Sequence, residues 1–186
     1  MKHGTRLWIG LLGSLLALCA GFASGEDAPS REYQIKAAFL YNFAKFVGWP
    51  AHAFKEARST MTLCVLGDDP FGVALDQAIA GKTVAGRKMV VARFEGLPHL
   101  DVCHILFISP SERDRLAQIL DTLTGSSVLT VGDTERFAHQ GGMINFYVDE
   151  NKVRFEINER AAERAGLKIS SKLLKLATIV PDTSGK

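Results

Sequence analysis

VCHILFISPSERDRLAQILDTLTGSSVLTVGD, residues 102–133, decides the fold. Its two ends, Val102–Ser109 and Ser127–Val131, are apolar almost without interruption. Strands of that kind are buried on both faces, which requires helices above and below the sheet. Between them, Ser111–Leu123 opens on Ser111-Glu112 and repeats Leu116, Ile119, Leu120 and Leu123 at helical spacing. Strand, helix and strand in this order mark an α/β layer structure with a parallel sheet.

The same rhythm extends outward. Upstream, Arg31–Val47 reads as a helix capped by Ser30, with Ile35, Phe39, Phe43 and Phe46, joined by Ala38 and Val47, as one broad apolar stripe. Trp49-Pro50 ends it, because the residue before a proline is pushed out of the helical region. MTLCVLG (61–67) is a strand, followed by the turn Asp68–Gly72, a helix over Ala74–Ala80 stopped by Gly81, and a strand over Lys88–Phe94. Downstream, a short helix is expected over Thr134–Gln140 before Gly141-Gly142. Met143–Val148 and Lys152–Ile157 flank the turn sequence Asp149-Glu150-Asn151 and predict a β-hairpin. Helices over Glu159–Ala165 and Ser170–Thr178 close the chain, the second capped by Ser170 or Ser171. The expected fold is an α/β three-layer sandwich with a mostly parallel, Rossmann-like central sheet, plus a C-terminal β-hairpin and helices.

Residues 1–25 read differently. Lys2 and Arg6 precede a twelve-residue apolar run, Leu7–Leu18, and the small residues of CAGFASG follow. That is the layout of a secretory signal peptide, too short for a comfortable membrane span. Residues 26–186 are then expected to form one domain, exported to the periplasm of a Gram-negative cell. Cys19 is a poor lipidation site, because Leu18 stands where a small side chain is needed. Beyond the leader the chain carries 20 basic and 20 acidic residues. Such a neutral body gives no electrostatic reason to bind nucleic acid or an anionic membrane. Cys64 and Cys103 remain, each in an apolar run. In an oxidising compartment an even pair is a disulfide candidate; two separate buried thiols are the alternative.

Catalytic signatures are sparse. The chain has no phosphate-cradling glycine loop, no His-Glu-x-x-His and no Gly-x-Ser-x-Gly. Gly81-Lys82-Thr83 lacks the upstream glycine of a phosphate loop. Of His52, His99, His104 and His139, only His104 neighbours a cysteine, and adjacent strand residues point to opposite faces. No enzyme, cofactor or metal site is expected. One constellation has geometric merit: Asp68, Asp69, Ser109, Glu112, Gly132 and Asp133 all follow predicted strand ends, where open parallel sheets bind ligands. Caps and turns account for the same residue types.

Six stretches carry a family resemblance: EYQIKAAFLYNFAKFVGWP (32–50), LCVLGDDPFG (63–72), CHILFISPSE (103–112), LTVGDTERFAHQGGMINF (129–146), VRFEIN (153–158) and AGLKISSKLLKLA (165–177). In order and nearly end to end, they resemble the YfiR-like (DUF4154) family of exported proteins. The resemblance implies a periplasmic binding regulator that inhibits an inner-membrane diguanylate cyclase through its periplasmic sensory domain, lowering cyclic di-GMP and biofilm formation. It implies an OmpA-like outer-membrane lipoprotein as a second partner. It also implies that Cys64 and Cys103 form the family's cysteine pair. A second pair found in some members is replaced here by Ala138 and Asn145. Partner-binding positions carried over are Ile144, Phe146, Glu156 and Ala162, although alternation places Phe146 with the core. A solute-binding sensor working with a sensor kinase is the alternative, and self-association into a homodimer stays open.

Overall fold

The computed structural model describes Met1 and residues 30–56, 59–97 and 100–183; the rest of the expected leader, with Cys19, and His99 lie outside them. Ser30 caps the first helix, α1 (Arg31–Phe46), accepting a hydrogen bond from the Tyr33 N–H at 3.4 Å. The face turned inward is Lys36, Ala37, Leu40, Phe43 and Ala44. The stripe favoured by spacing is therefore corrected in part: Ile35 is 39% exposed, and Phe39 and Phe46 are half-buried. Both faces of α1 are apolar, so hydrophobicity alone does not choose between them. Small Ala37 and Ala44 let the helix approach the sheet closely, and Lys36 is held inside by a carboxylate partner.

After α1 the chain forms β1 (Val47–Gly48), β2 (Met61–Leu66), α2 (Val73–Ile79), β3 (Thr83–Val84), β4 (Arg87–Phe94) and β5 (Ile105–Ile108). It continues through α3 (Leu116–Thr122), β6 (Leu129–Gly132), β7 (Ile144–Asp149), β8 (Lys152–Ile157), α4 (Glu159–Arg164), β9 (Lys168–Ile169), α5 (Ser171–Leu174) and β10 (Thr178–Ile179). Eight strands make one sheet in the order β10-β8-β7-β6-β5-β2-β4-β3. From β4 to β7 the neighbours run parallel; β7 and β8 form the expected antiparallel hairpin, with Ile144 opposite Ile157.

Alternation along each strand sorts the core into two halves. Leu63, Val65, Ile105, Phe107, Leu129 and Val131 pack beneath α1 and α2. Cys64, Leu66, Leu106 and Ile108 pack beneath α3, against Leu116 and Ile119. This is the three-layer α/β sandwich that the residue pattern implies. Cys64 and Cys103 are joined in a disulfide, Cα to Cα 5.8 Å, within the α3-side core.

Several expectations are corrected. Thr134–Gln140 is a run of turns rather than a helix. Arg136 has φ +62 and Gly141 φ +104, which break helical continuation, while fully buried Phe137 plugs the space between Gly132 and Gly142. Neither glycine has room for a Cβ, because Phe137 ring atoms occupy the position. The last helix covers only Ser171–Leu174, after which the chain extends as β10 beside β8, its Val180 N–H donating to the Ile157 carbonyl at 3.0 Å. An unpaired sheet edge outcompetes local helix preference here. Strand β5 starts at Ile105, since Leu100–Val102 forms a tight 3₁₀ turn, and Pro110–Arg115 is 3₁₀ before α3 begins. The two-residue strands β1 and β9 pair antiparallel and fasten the end of α1 to the C-terminal segment.

Candidate functional site

Strand order reverses between β2 and β5, and the carboxyl ends of these strands form the crevice where open α/β sheets take ligands. Asp68, Asp69, Ser109 and Glu112 do gather at this edge, but their polar groups are largely engaged within the protein. Gly67 sits at φ +85 with the Ser111 hydroxyl and Glu112 side chain where a Cβ would project. The Asp68 N–H donates to Ser111 Oγ at 3.0 Å. Asp69 accepts from the Phe71 N–H at 2.8 Å and from Arg93 Nε at 2.7 Å. Arg93 also reaches Asp76 at 2.6 Å; that bond, with the Asp69 contact, raises its already high pKa despite partial burial. Glu112 is buried and paired with Arg115 at 2.5 Å, and the N–H of buried Ser109 donates to the Leu66 carbonyl at 3.0 Å.

Asp133, from the same set, stands apart at the end of β6. Its side chain is 4% exposed. Its Oδ2 accepts from Lys36 Nζ at 2.6 Å and from the Tyr33 hydroxyl at 2.8 Å. Lys36, itself 3% exposed, also pairs with Glu32 at 2.5 Å and lies 4.3 Å from the Tyr33 ring centroid. Burial, reinforced by the Asp133 charge, pushes the Tyr33 phenol far above its ordinary pKa, so it serves as a hydrogen-bond donor.

Next to this network is a depression of about 410 Å³ whose walls include Asp133, Glu135, Arg136, His139, Asn145 and Glu156. Parallel pairing sets Gly132 beside Asn145, and so brings the Asp133 and Asn145 positions together. Asn145 Nδ2 donates to Glu156 Oε2 at 3.2 Å. Asp133 Oδ1 and Asn145 Oδ1 are both buried and without a hydrogen-bond partner. The depression thus unites Asp133 from one predicted set with Phe146 and Glu156 from the other.

The remaining predicted positions are placed differently. Ile144, Phe146 and Ala162 are 0%, 1% and 1% exposed, and Phe146 stacks on Phe43 with centroids 5.5 Å apart. Of the four, only Glu156 is half-buried and reaches the surface. Among the described residues no three His, Cys, Asp or Glu side chains gather as a metal-binding group, and no helix is long and apolar enough to cross a membrane.

The family model DUF4154, described as YfiR/HmsC-like, matches residues 33–178, which contain the whole sheet apart from Ile179. The chain belongs to the YfiR-like family. That family regulates cyclic di-GMP signalling from the periplasm and is regulatory rather than catalytic.

In this YfiR-like protein a buried asparagine ties the turn segment before β7 to the start of α4. Asn158, fully buried, donates through Nδ2 to the Ala138 carbonyl at 2.8 Å and caps α4 by accepting from the Ala161 N–H at 3.0 Å. Sequence reasoning missed this asparagine, although its place between a strand and a helix is the usual cap signal. It also missed Lys36, whose spacing from Glu32 is that of an ion pair on one helix face. The outer face of α1 forms a second surface. Ile35, Ala38 and Phe39 line one shallow groove of about 370 Å³, and Phe39, Phe46 and Leu176 line a second of about 260 Å³ that continues it. Lys45 and Lys172 edge the second groove, and Leu176 is 73% exposed.

Proposed function

We propose that this protein is a periplasmic binding regulator that restrains an inner-membrane diguanylate cyclase by docking on its periplasmic sensory domain. Holding that domain in its inactive state requires tighter binding to that state than to the active one, and no chemistry on the regulator's side. Membership of a regulatory family supports the class of function. The observation that carries the reading is the apolar strip Ile35–Phe39–Phe46–Leu176 along α1 and the segment after α5, exposed or half-buried among the described residues. A helix apolar on a second, outward face suits a protein partner. The lysines at its edge favour a partner patch with an acidic rim. Release by an OmpA-like outer-membrane lipoprotein competing for the same strip completes the proposal.

The chain without residues 1–25 is to be titrated against the periplasmic domain of a membrane cyclase encoded beside it. Burying one such side chain contributes about 1.5–3 kcal/mol. Ile35→Glu and Leu176→Glu are therefore expected to weaken binding by roughly ten- to a hundredfold, with melting temperature unchanged. Deleting the gene is expected to raise cyclic di-GMP and surface attachment. Unaltered affinity in both variants, or a strip occupied by a second copy of the chain in solution, refutes this docking surface.

A further inference from the structure

The depression beside Asp133 holds two buried acceptors that the fold leaves without donors. Asp133 Oδ2 is fully engaged by Lys36 and Tyr33, yet Oδ1 of the same carboxylate has no partner. Asn145 gives its Nδ2 to Glu156, yet its Oδ1 has none, and the residue is 4% exposed. Buried oxygens in this state are costly, and the great majority in folded proteins are satisfied. Both belong to residues lining one depression of about 410 Å³, far more than the roughly 30 Å³ share of one water molecule.

The lining selects the chemistry of an occupant. Two acceptors call for N–H or O–H donors. With Asp133 already paired to Lys36, Glu135 and Glu156 still outnumber the fixed cation Arg136, which favours positive charge. The Lys36 ammonium on the same carboxylate, 2.6 Å from Oδ2, opposes a compact divalent metal ion. Directed N–H bonds suit a singly charged ammonium instead, and Tyr147 in the wall supplies aromatic surface that tolerates a cation. We propose that this depression binds a small organic ammonium compound, its N–H groups donating to Asp133 Oδ1 and Asn145 Oδ1 and its charge facing Glu156. Because both oxygens are covered from bulk solvent, the exposed turn residues Glu135 and Arg136 must move aside to admit it, while Phe137 and Ala138 stay packed. This site is separate from the α1 strip and does not depend on the cyclase reading.

The test uses the chain without its leader, titrated calorimetrically and followed by thermal melting. The probes are 4-amino-1-butanol and ethanolamine hydrochlorides, with 1,4-butanediol and sodium chloride at matched ionic strength as controls. Saturable binding of at least one amine, and a rise in melting temperature absent from both controls, are expected. Glu156→Gln and Asn145→Leu are each expected to raise Kd at least tenfold, whereas Ile35→Glu leaves it unchanged. Should Asn145→Leu fail to fold, the more accessible Glu156→Gln decides. No saturable signal from either amine, equal effects of the diol or salt, or an unchanged Kd in Glu156→Gln overturns the proposal.

Discussion

Replacing Lys36 by Met tests whether a buried ion pair, rather than hydrophobicity alone, sets the rotation of α1. Methionine keeps the length of the stem against Tyr33 and Phe146 while removing the ammonium. What remains is a carboxylate, Asp133, with a side chain 4% exposed and only the Tyr33 hydroxyl donating to it. Breaking a buried pair from one side costs about 3–5 kcal/mol, because the surviving charge stays desolvated. The Glu32 contact adds little, since that side chain is 41% exposed and an exposed pair is worth about 0–1 kcal/mol. For a chain of this size the loss corresponds to a drop of about 10 °C in melting temperature. Urea denaturation of parent, Lys36→Met, Asp133→Asn and the double variant measures it directly. The double variant, having no orphaned charge, is expected to be more stable than the sum of the two single losses by about 1–3 kcal/mol. Additive losses, or a Lys36→Met variant within 1 kcal/mol (roughly the worth of an exposed pair) of the parent, would refute the reasoning.

Two further predictions concern stability. Joining residues 39 apart, the Cys64–Cys103 bond removes loop entropy from the unfolded chain. Its loss in Cys64→Ala/Cys103→Ala is expected to cost about 4 kcal/mol, read as a lower urea midpoint; an unshifted midpoint contradicts this. His104 is 7% exposed, accepts from the Thr62 N–H through Nδ1 at 3.2 Å and stacks on Phe54. Burial holds its pKa below the ordinary value, and the nearby Arg87 charge lowers it further. The unfolded chain therefore takes up a proton on this histidine at a higher pH than the folded one. Its contribution to stability is present above about pH 6.5 and is lost as pH falls below that value toward the folded pKa. In His104→Gln the slope of unfolding free energy against pH between about 6.5 and 5 should flatten; an unaltered slope assigns the acid sensitivity elsewhere.

Burial on both faces of MTLCVLG and of CHILFIS, with helical spacing between strands, was enough to specify a helix-covered parallel sheet. The Asp149-Glu150-Asn151 turn likewise announced its hairpin. These signals are local: a period, a cap or a turn residue acts through its near neighbours. The cysteine pair and the family resemblance were also legible, the first from the expected export and the second from motif order.

Long-range competition decided the rest. The sequence could not say which apolar stripe of α1 turns inward, because the partner that holds Lys36 inside lies nearly a hundred residues away at Asp133. Nor could it say that residues after Leu174 would leave a helix to pair with β8, since only the assembled sheet presents that free edge. Strand pairing also set Asp133 beside Asn145, dividing residues that looked like one crevice into an internally tied edge and a separate depression with two unpartnered oxygens. Sequence determined the elements because their signals are short-range; tertiary structure alone decided which side chains share a space, because that depends on how distant elements satisfy one another's buried charge and backbone.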